Sequence, residues 1–206
     1  MRIVGGEFRG RSLASPSGSA IRPTSDRLRQ TIFDILAHAY GNPVRGARVL
    51  DLFAGTGALG IEAMSRGASF VLFVEDGMEA RGLIRRNVDA LGLTGRSRVF
   101  RRDATRLGQI GSLAPFDLVF ADPPYGGGLG ERALSAAVAG GWITSGGIAM
   151  LEESRTITIA AIPGLFVEET RHVGDSQVVF FRALSSTAND HRSGLPSDDP
   201  AAKRHE

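Results

Sequence analysis

Apolar residues along this chain fall into short runs of strand character, separated by stretches with helical spacing. Arg48–Phe53, Phe70–Glu75, Arg98–Asp103, Phe116–Asp122 and Gly146–Leu151 read as strands. Between them, Ala58–Ser65, Met78–Leu91, Ala104–Leu113 and Gly130–Ala139 read as helices. Such alternation predicts a parallel sheet with helices on both faces. The central runs are almost continuously apolar, as strands covered on both faces must be. The pattern changes after Pro163, where Leu165–His172 and Gln177–Leu184 are joined by Gly174-Asp175. That turn predicts an antiparallel pair closing the sheet. The expected fold class is α/β, Rossmann-like, with a mostly parallel seven-stranded sheet and a C-terminal antiparallel hairpin.

A different pattern precedes the sheet. Arg2–Leu13 alternates, punctuated by Gly5-Gly6 and Gly10, and predicts a small β-hairpin. Ser25–Ala39 then places Leu28, Ile32, Phe33, Ile35 and Leu36 on one side of a helix. Thr24 or Ser25 can cap it, and Asp26 suits its first turn. The tail, residues 185–206, is rich in Ser, Pro, Asp and Ala and is expected to be disordered, having too little apolar surface to bury. The domain organisation expected is a basic hairpin extension over 1–24, one main domain over 25–184, and that tail.

Composition narrows the chemistry. A chain of 206 residues supports one full-sized domain. No run is long enough to span a membrane, and MRIVGGEFRGR has no apolar leader segment, so a cytoplasmic protein is expected. The absence of cysteine removes disulfides, thiolate metal sites and cysteine nucleophiles. The four histidines are scattered without ligand spacing, so no metal site is expected. A formal charge of +2 conceals two basic blocks. Residues 1–48 carry eight arginines against Glu7, Asp26 and Asp34, and residues 81–106 carry eight against Asp89 and Asp103. Each block is either a polyanion-binding face or a solvated arginine face.

The strand ends carry the candidate chemistry. The first strand runs into Asp51-Leu52-Phe53-Ala54-Gly55-Thr56-Gly57-Ala58-Leu59-Gly60. Its glycines let the backbone approach a ligand, and the following helix offers free N–H groups. Gly55 to Gly60 formally fits the dinucleotide fingerprint, but Asp51 beside a pyrophosphate would repel it. Glu75, 18 residues after Gly57, can accept both hydroxyls of a ribose or can be a plain surface acid. Asp103 with the N–H of Ala104 can read an adenine edge, or Asp103 can cap a helix. Asp122-Pro123-Pro124-Tyr125 ends the fourth strand. Alone it reads as a turn; among other strand-end acids it reads as a site holding a flat, amine-bearing molecule. In open α/β sheets ligands bind beyond the carboxyl ends of the strands. Acids at four such ends suit S-adenosylmethionine, which carries a sulfonium, an ammonium, ribose hydroxyls and an adenine amine but no phosphate.

VLDLFAGTGALGIEAMSRGA (Val49–Ala68), FVED (Phe73–Asp76), RRDA (Arg101–Ala104) and FADPPY (Phe120–Tyr125) resemble, in order, the motifs of class I methyltransferases. With VGGEFRGRSL (Val4–Leu13) and RPTSDRLRQTIFDIL (Arg22–Leu36), the chain resembles the RsmD family from Met1 to about Leu184. Members of that family methylate the exocyclic N2 of one 16S rRNA guanine, of the guanine-966 type. The resemblance implies S-adenosylmethionine as donor, held by Asp51, Phe53, Ala54, Gly55, Gly57, Glu75, Asp76, Asp103 and Ala104. It implies Asp122, Pro123, Pro124 and Tyr125 as the catalytic segment. It implies 16S rRNA in a small ribosomal subunit as partner. A monomer is expected, with the basic extension, including Arg2, Arg9, Arg11 and Arg22, contacting RNA phosphates. Gln30, Asp34 and Thr56 depart from the expected Glu, Asn and Ser.

Overall fold

A computed structural model of the protein describes residues 1–15 and 25–185. Arg22, Thr24 and nearly all of the expected tail therefore lie outside the described residues. Seven strands form one sheet: β1 (Arg48–Leu52), β2 (Phe70–Val74), β3 (Ser97–Phe100), β4 (Phe116–Ala121), β5 (Ile143–Ser154), β6 (Leu165–Val173) and β7 (Ser176–Ala183). Their order is β3-β2-β1-β4-β5-β7-β6. The first five pair in parallel. β7 runs antiparallel to both β5 and β6, as the Gly174-Asp175 turn predicts. The order reverses direction between β1 and β4. That switch point is where an open α/β sheet leaves a crevice for a ligand.

Helices α1 (Asp26–Ala39), α2 (Ala58–Ser65) and α3 (Met78–Ala90) cover one face. Helix α4 (Leu129–Ala139) covers the other. Ser25 caps α1 by accepting from the Leu28 N–H at 3.1 Å. Of the predicted side of α1, Leu28, Ile32, Phe33 and Leu36 are buried and Ile35 is half-buried, while Arg29 is buried with them. Phe33 meets Phe120 of β4 edge to face, centroids 5.6 Å apart, and so seats α1 over the strand that ends in Asp122.

Strand β3 stops at Phe100, so Asp103 lies three residues beyond a strand end, and β5 runs longer than predicted, from Ile143 to Ser154. Two further predicted elements differ. Residues 104–113 form no α-helix; a single 3-10 turn over Ala104–Arg106 is followed by irregular chain. Gly108 and Gly111 both sit at φ +67°, outside the helical region. The segment's hydrogen bonds go to a neighbour instead: Ile110 N–H donates to the Gly140 carbonyl at 2.9 Å, and Trp142 Nε1 donates to the Gly108 carbonyl at 2.7 Å. Residues 2–13 make only one antiparallel bridge, Arg2 with Ser12, rather than two paired strands. Side chains of α2 take further bonds from this segment. Val4 N–H donates to Glu62 at 2.9 Å, and Phe8 N–H donates to Ser65 at 2.9 Å. Ile3 and Leu13 are buried in the same core as α1 and α2.

Candidate active site

A cavity of about 870 Å³ opens at the carboxyl edge of the sheet, around the β1/β4 switch point. Asp51 near the end of β1 with Phe53, Ala54 and Gly55 after it, Glu75 and Asp76 after β2, and Asp122 to Tyr125 after β4 all line it. Parallel pairing in register explains the convergence. Asp51 stands opposite Phe73 and Phe120, so the three strands end level with one another.

Glu75 is held before any ligand arrives. Its carboxylate accepts the Gly55 N–H at 2.8 Å and the Gly77 N–H at 2.8 Å. Two backbone donors fix one carboxylate across the mouth of the turn, leaving lone pairs on the cavity side. Asp51 faces inward. It is 1% exposed and accepts the Gly60 N–H at 2.9 Å. Burial holds its carboxyl well above the ordinary carboxylate range; the Gly60 bond opposes this, and the charges of Asp122 and Glu75 add to it. Phe53, at φ 56°, has the left-handed backbone that a bulky residue rarely adopts. Strain of this kind collects at ligand sites.

Not every candidate is brought to the cavity. Gly57 lies behind its neighbour Thr56 and serves as the left-handed N-cap of α2. Asp103 and Ala104 are absent from the lining. Asp103 accepts from both the N–H and the hydroxyl of Thr105, at 2.8 and 2.7 Å. The Thr105 hydroxyl, then its N–H, holds the Asp103 carboxyl below its ordinary value. Of the two roles open to Asp103, capping the turn is the one its hydrogen bonds serve. Arg2, Arg9 and Arg11 are exposed, and Arg11 also donates to the Ala90 carbonyl at 3.3 Å.

Other residues reach the cavity that chain order hid. Ser25, Arg27 and Leu28 at the start of α1 form one wall, and Arg27 supplies a cation beside a turn whose sequence neighbours include none. Glu152 and Ser176 form another wall. Glu152 lies one residue past the predicted end of its strand. It follows the Ala121–Leu151 pair on β5 as Asp122 follows it on β4, so both acids stand at one level of the sheet edge. The second arginine block is also partly spent inside. Arg81 is 8% exposed and donates to the Asp76 carbonyl, and Arg102 stacks on Phe100 at 4.6 Å. Arg85, Arg86, Arg96, Arg98, Arg101 and Arg106 remain exposed.

The charged lining of the cavity is acidic, with Asp51, Glu75, Asp76, Glu79, Asp122, Glu152 and Asp175 against Arg27. A phosphate-bearing dinucleotide would meet repulsion, whereas a cation with ribose hydroxyls would meet acceptors. Asp51, Glu75 and Asp76, grouped at the glycine turn, fit S-adenosylmethionine. Comparison with known proteins agrees with this chemistry. Residues 1–182 match the family model described as conserved hypothetical protein 95. Ribosomal RNA small subunit methyltransferase D of Escherichia coli K12 is 35% identical over 164 residues, covering 79% of this chain and 79% of that protein. YlbH of Bacillus subtilis is 39% identical over 127 residues, covering 61% of this chain and 67% of its own. The solved structure of yhhF from Escherichia coli superposes with a TM-score of 0.76 at 30% identity, covering 90% of this chain and 98% of the other.

Proposed function

The chain belongs to the conserved hypothetical protein 95 family, the RsmD-type methyltransferases, and on that premise we propose that it methylates the exocyclic N2 of a guanine in 16S rRNA. The observation that carries this reading is the shared cavity of Glu75 and Asp122: a prefixed ribose acceptor and an amine acceptor open onto one space. When bound, S-adenosylmethionine supplies an electrophilic methyl group on a sulfonium. Glu75 would accept its ribose hydroxyls, and Asp51 with the Gly55 turn would hold its cationic end.

The guanine amine is a weak nucleophile because its lone pair is delocalised into the ring. Asp122 and the Pro123 carbonyl accept its two hydrogens and turn the lone pair out of the ring plane, toward the donor. Orientation of this kind supplies much of the rate gain. The Asp122 carboxylate also stabilises positive charge developing on nitrogen and takes the proton that the methylated amine sheds. Tyr125 stacks on the base, worth roughly 1–3 kcal/mol. The base must be unpaired or flipped to enter, at about a few kcal/mol. The guanine-966 type of target, the small-subunit setting and the monomeric state belong to the same reading.

Adenine N6 poses the same chemical problem, so the test compares substrates. Methyl transfer from labelled S-adenosylmethionine is measured on small ribosomal subunits, naked 16S rRNA and duplex DNA. Product is expected on the subunits, as N2-methylguanine on digestion. Product only on DNA would favour an adenine N6 enzyme, and none on any substrate would favour a non-catalytic assembly role. Asp122→Ala should lose about 100-fold or more in turnover while donor affinity holds.

A further inference from the structure

Two adjacent carboxylates of β5 grip the segment that carries Tyr125. Successive strand residues point to opposite faces, so Glu152 and Glu153 reach different parts of one turn. Tyr125 donates its hydroxyl to Glu152 Oε1 at 2.6 Å, and Ser176 Oγ lies 2.7 Å from the same hydroxyl. The next backbone N–H, that of Gly126, donates to both oxygens of Glu153 at 3.2 and 3.1 Å. Glu153 also accepts the Ser154 N–H at 2.8 Å. Glu152 is 3% exposed and Glu153 1%. Buried carboxylates are costly unless hydrogen-bonded, and the Tyr125–Gly126 turn supplies donors to both.

Gly126, Gly127 and Gly128 all adopt positive φ, and a Cβ built on Gly126 or Gly127 would meet nothing within 4 Å. Two of the contacts that hold the Tyr125 hydroxyl come from β5 and from the start of β7. Resting on the reading of Asp122–Tyr125 as the amine-binding segment, we infer that Glu152 is a positioning residue. With Ser176 it locks the Tyr125 ring at a fixed angle, and Glu153 locks the peptide that follows. Glu152 thus acts on the target base through Tyr125 rather than by touching it.

A double-mutant cycle tests this. Wild type, Tyr125→Phe, Glu152→Ala, Glu152→Gln and the Tyr125→Phe/Glu152→Ala double variant are assayed on small ribosomal subunits lacking the modification. Donor affinity is followed by calorimetry and folding by thermal melting. Each of Tyr125→Phe and Glu152→Ala should lower kcat/KM by about tenfold, the scale of one charge-assisted hydrogen bond. The double variant should fall no further than either single within about twofold, because both remove the same contact. Glu152→Gln keeps an acceptor oxygen and should recover to within about threefold of wild type, with donor affinity unchanged throughout. A multiplicative loss of about 100-fold in the double variant, or Gln as impaired as Ala, overturns the inference. If Glu152→Ala does not fold, Ser176→Ala takes its place under the same criteria. Wild type inactive on every rRNA substrate would instead defeat the functional reading, and this inference with it.

Discussion

Asn87, buried on α3, donates its side-chain amide to the Thr56 carbonyl of the candidate donor turn at 3.1 Å. The same side chain accepts the Ala14 N–H at 2.7 Å and donates to the Ala14 carbonyl at 3.2 Å. One residue thus joins the basic N-terminal segment to the cofactor turn. Asn87→Ala should leave the buried Thr56 carbonyl unpaired, the Ala14 groups being open to water, and destabilise the fold by about 1–3 kcal/mol. It should also weaken S-adenosylmethionine binding. Urea denaturation and calorimetry check the two effects; unchanged donor affinity in a folded variant would show the clamp to be structural only.

Glu75 is braced by the N–H groups of Gly55 and Gly77, both at 2.8 Å. Glu75→Gln replaces one acceptor oxygen with an NH2 that faces one of these donors. Donor affinity should drop by about 10- to 100-fold, the scale of charge-assisted hydrogen bonds. Binding of rRNA in the absence of donor should persist. Titration calorimetry and filter binding separate the two.

Gly60 packs under the sheet so closely that a Cβ would lie 2.4 Å from Phe73 Cε1, 2.7 Å from Val71 Cγ1 and 2.9 Å from Asp51 Oδ2. All three neighbours are buried. Gly60→Ala should therefore cost about 1–3 kcal/mol through overpacking. It should also displace Asp51. A melting temperature equal to wild type would refute the tight fit.

Asp51 carries a pH signature. Burial raises its folded-state carboxyl above the unfolded value. The folded state then binds the proton over a range where the unfolded chain has released it. Stability is therefore greater at low pH with respect to this group, and is lost as pH rises from the ordinary carboxylate range through the raised folded value. Asp51→Asn, which can still accept from Gly60, should flatten that part of the profile. Chemical denaturation across pH measures it, and a slope unchanged by the substitution would exclude Asp51 as the source.

Exposed arginines should contribute to rRNA binding in a salt-dependent way, and buried ones should not. Arg9→Ala and Arg86→Ala should each weaken binding and reduce the slope of log affinity against log salt by about one. Arg81 pins the Asp76 carbonyl from inside, so Arg81→Ala should lower stability and leave that slope unchanged. Binding measured at several salt concentrations distinguishes the groups.

Local pattern makes much of this protein legible. The strand runs, the capped α1 helix and the closing hairpin follow from hydrophobic period, capping residues and turn chemistry, all of which act over a few residues. Asp51, Glu75 and Asp122 are readable as strand-end acids for the same reason. The helix expected over 104–113 does not form, because two glycines with positive φ and distant partners at Gly140 and Trp142 outweigh its apolar spacing.

Only the tertiary structure decided what those acids share. Strand order sets β4 beside β1, bringing Asp122 to the same cavity as Asp51 and Glu75. Pairing of β4 with β5 sets Glu152 level with Asp122 and behind Tyr125, which is 27 residues away along the chain. Packing buried Arg81 and exposed Arg86, two arginines of one block that sequence cannot tell apart. The residue types for the chemistry are written in short local motifs; their meeting depends on long-range pairing, whose energetics no local window contains.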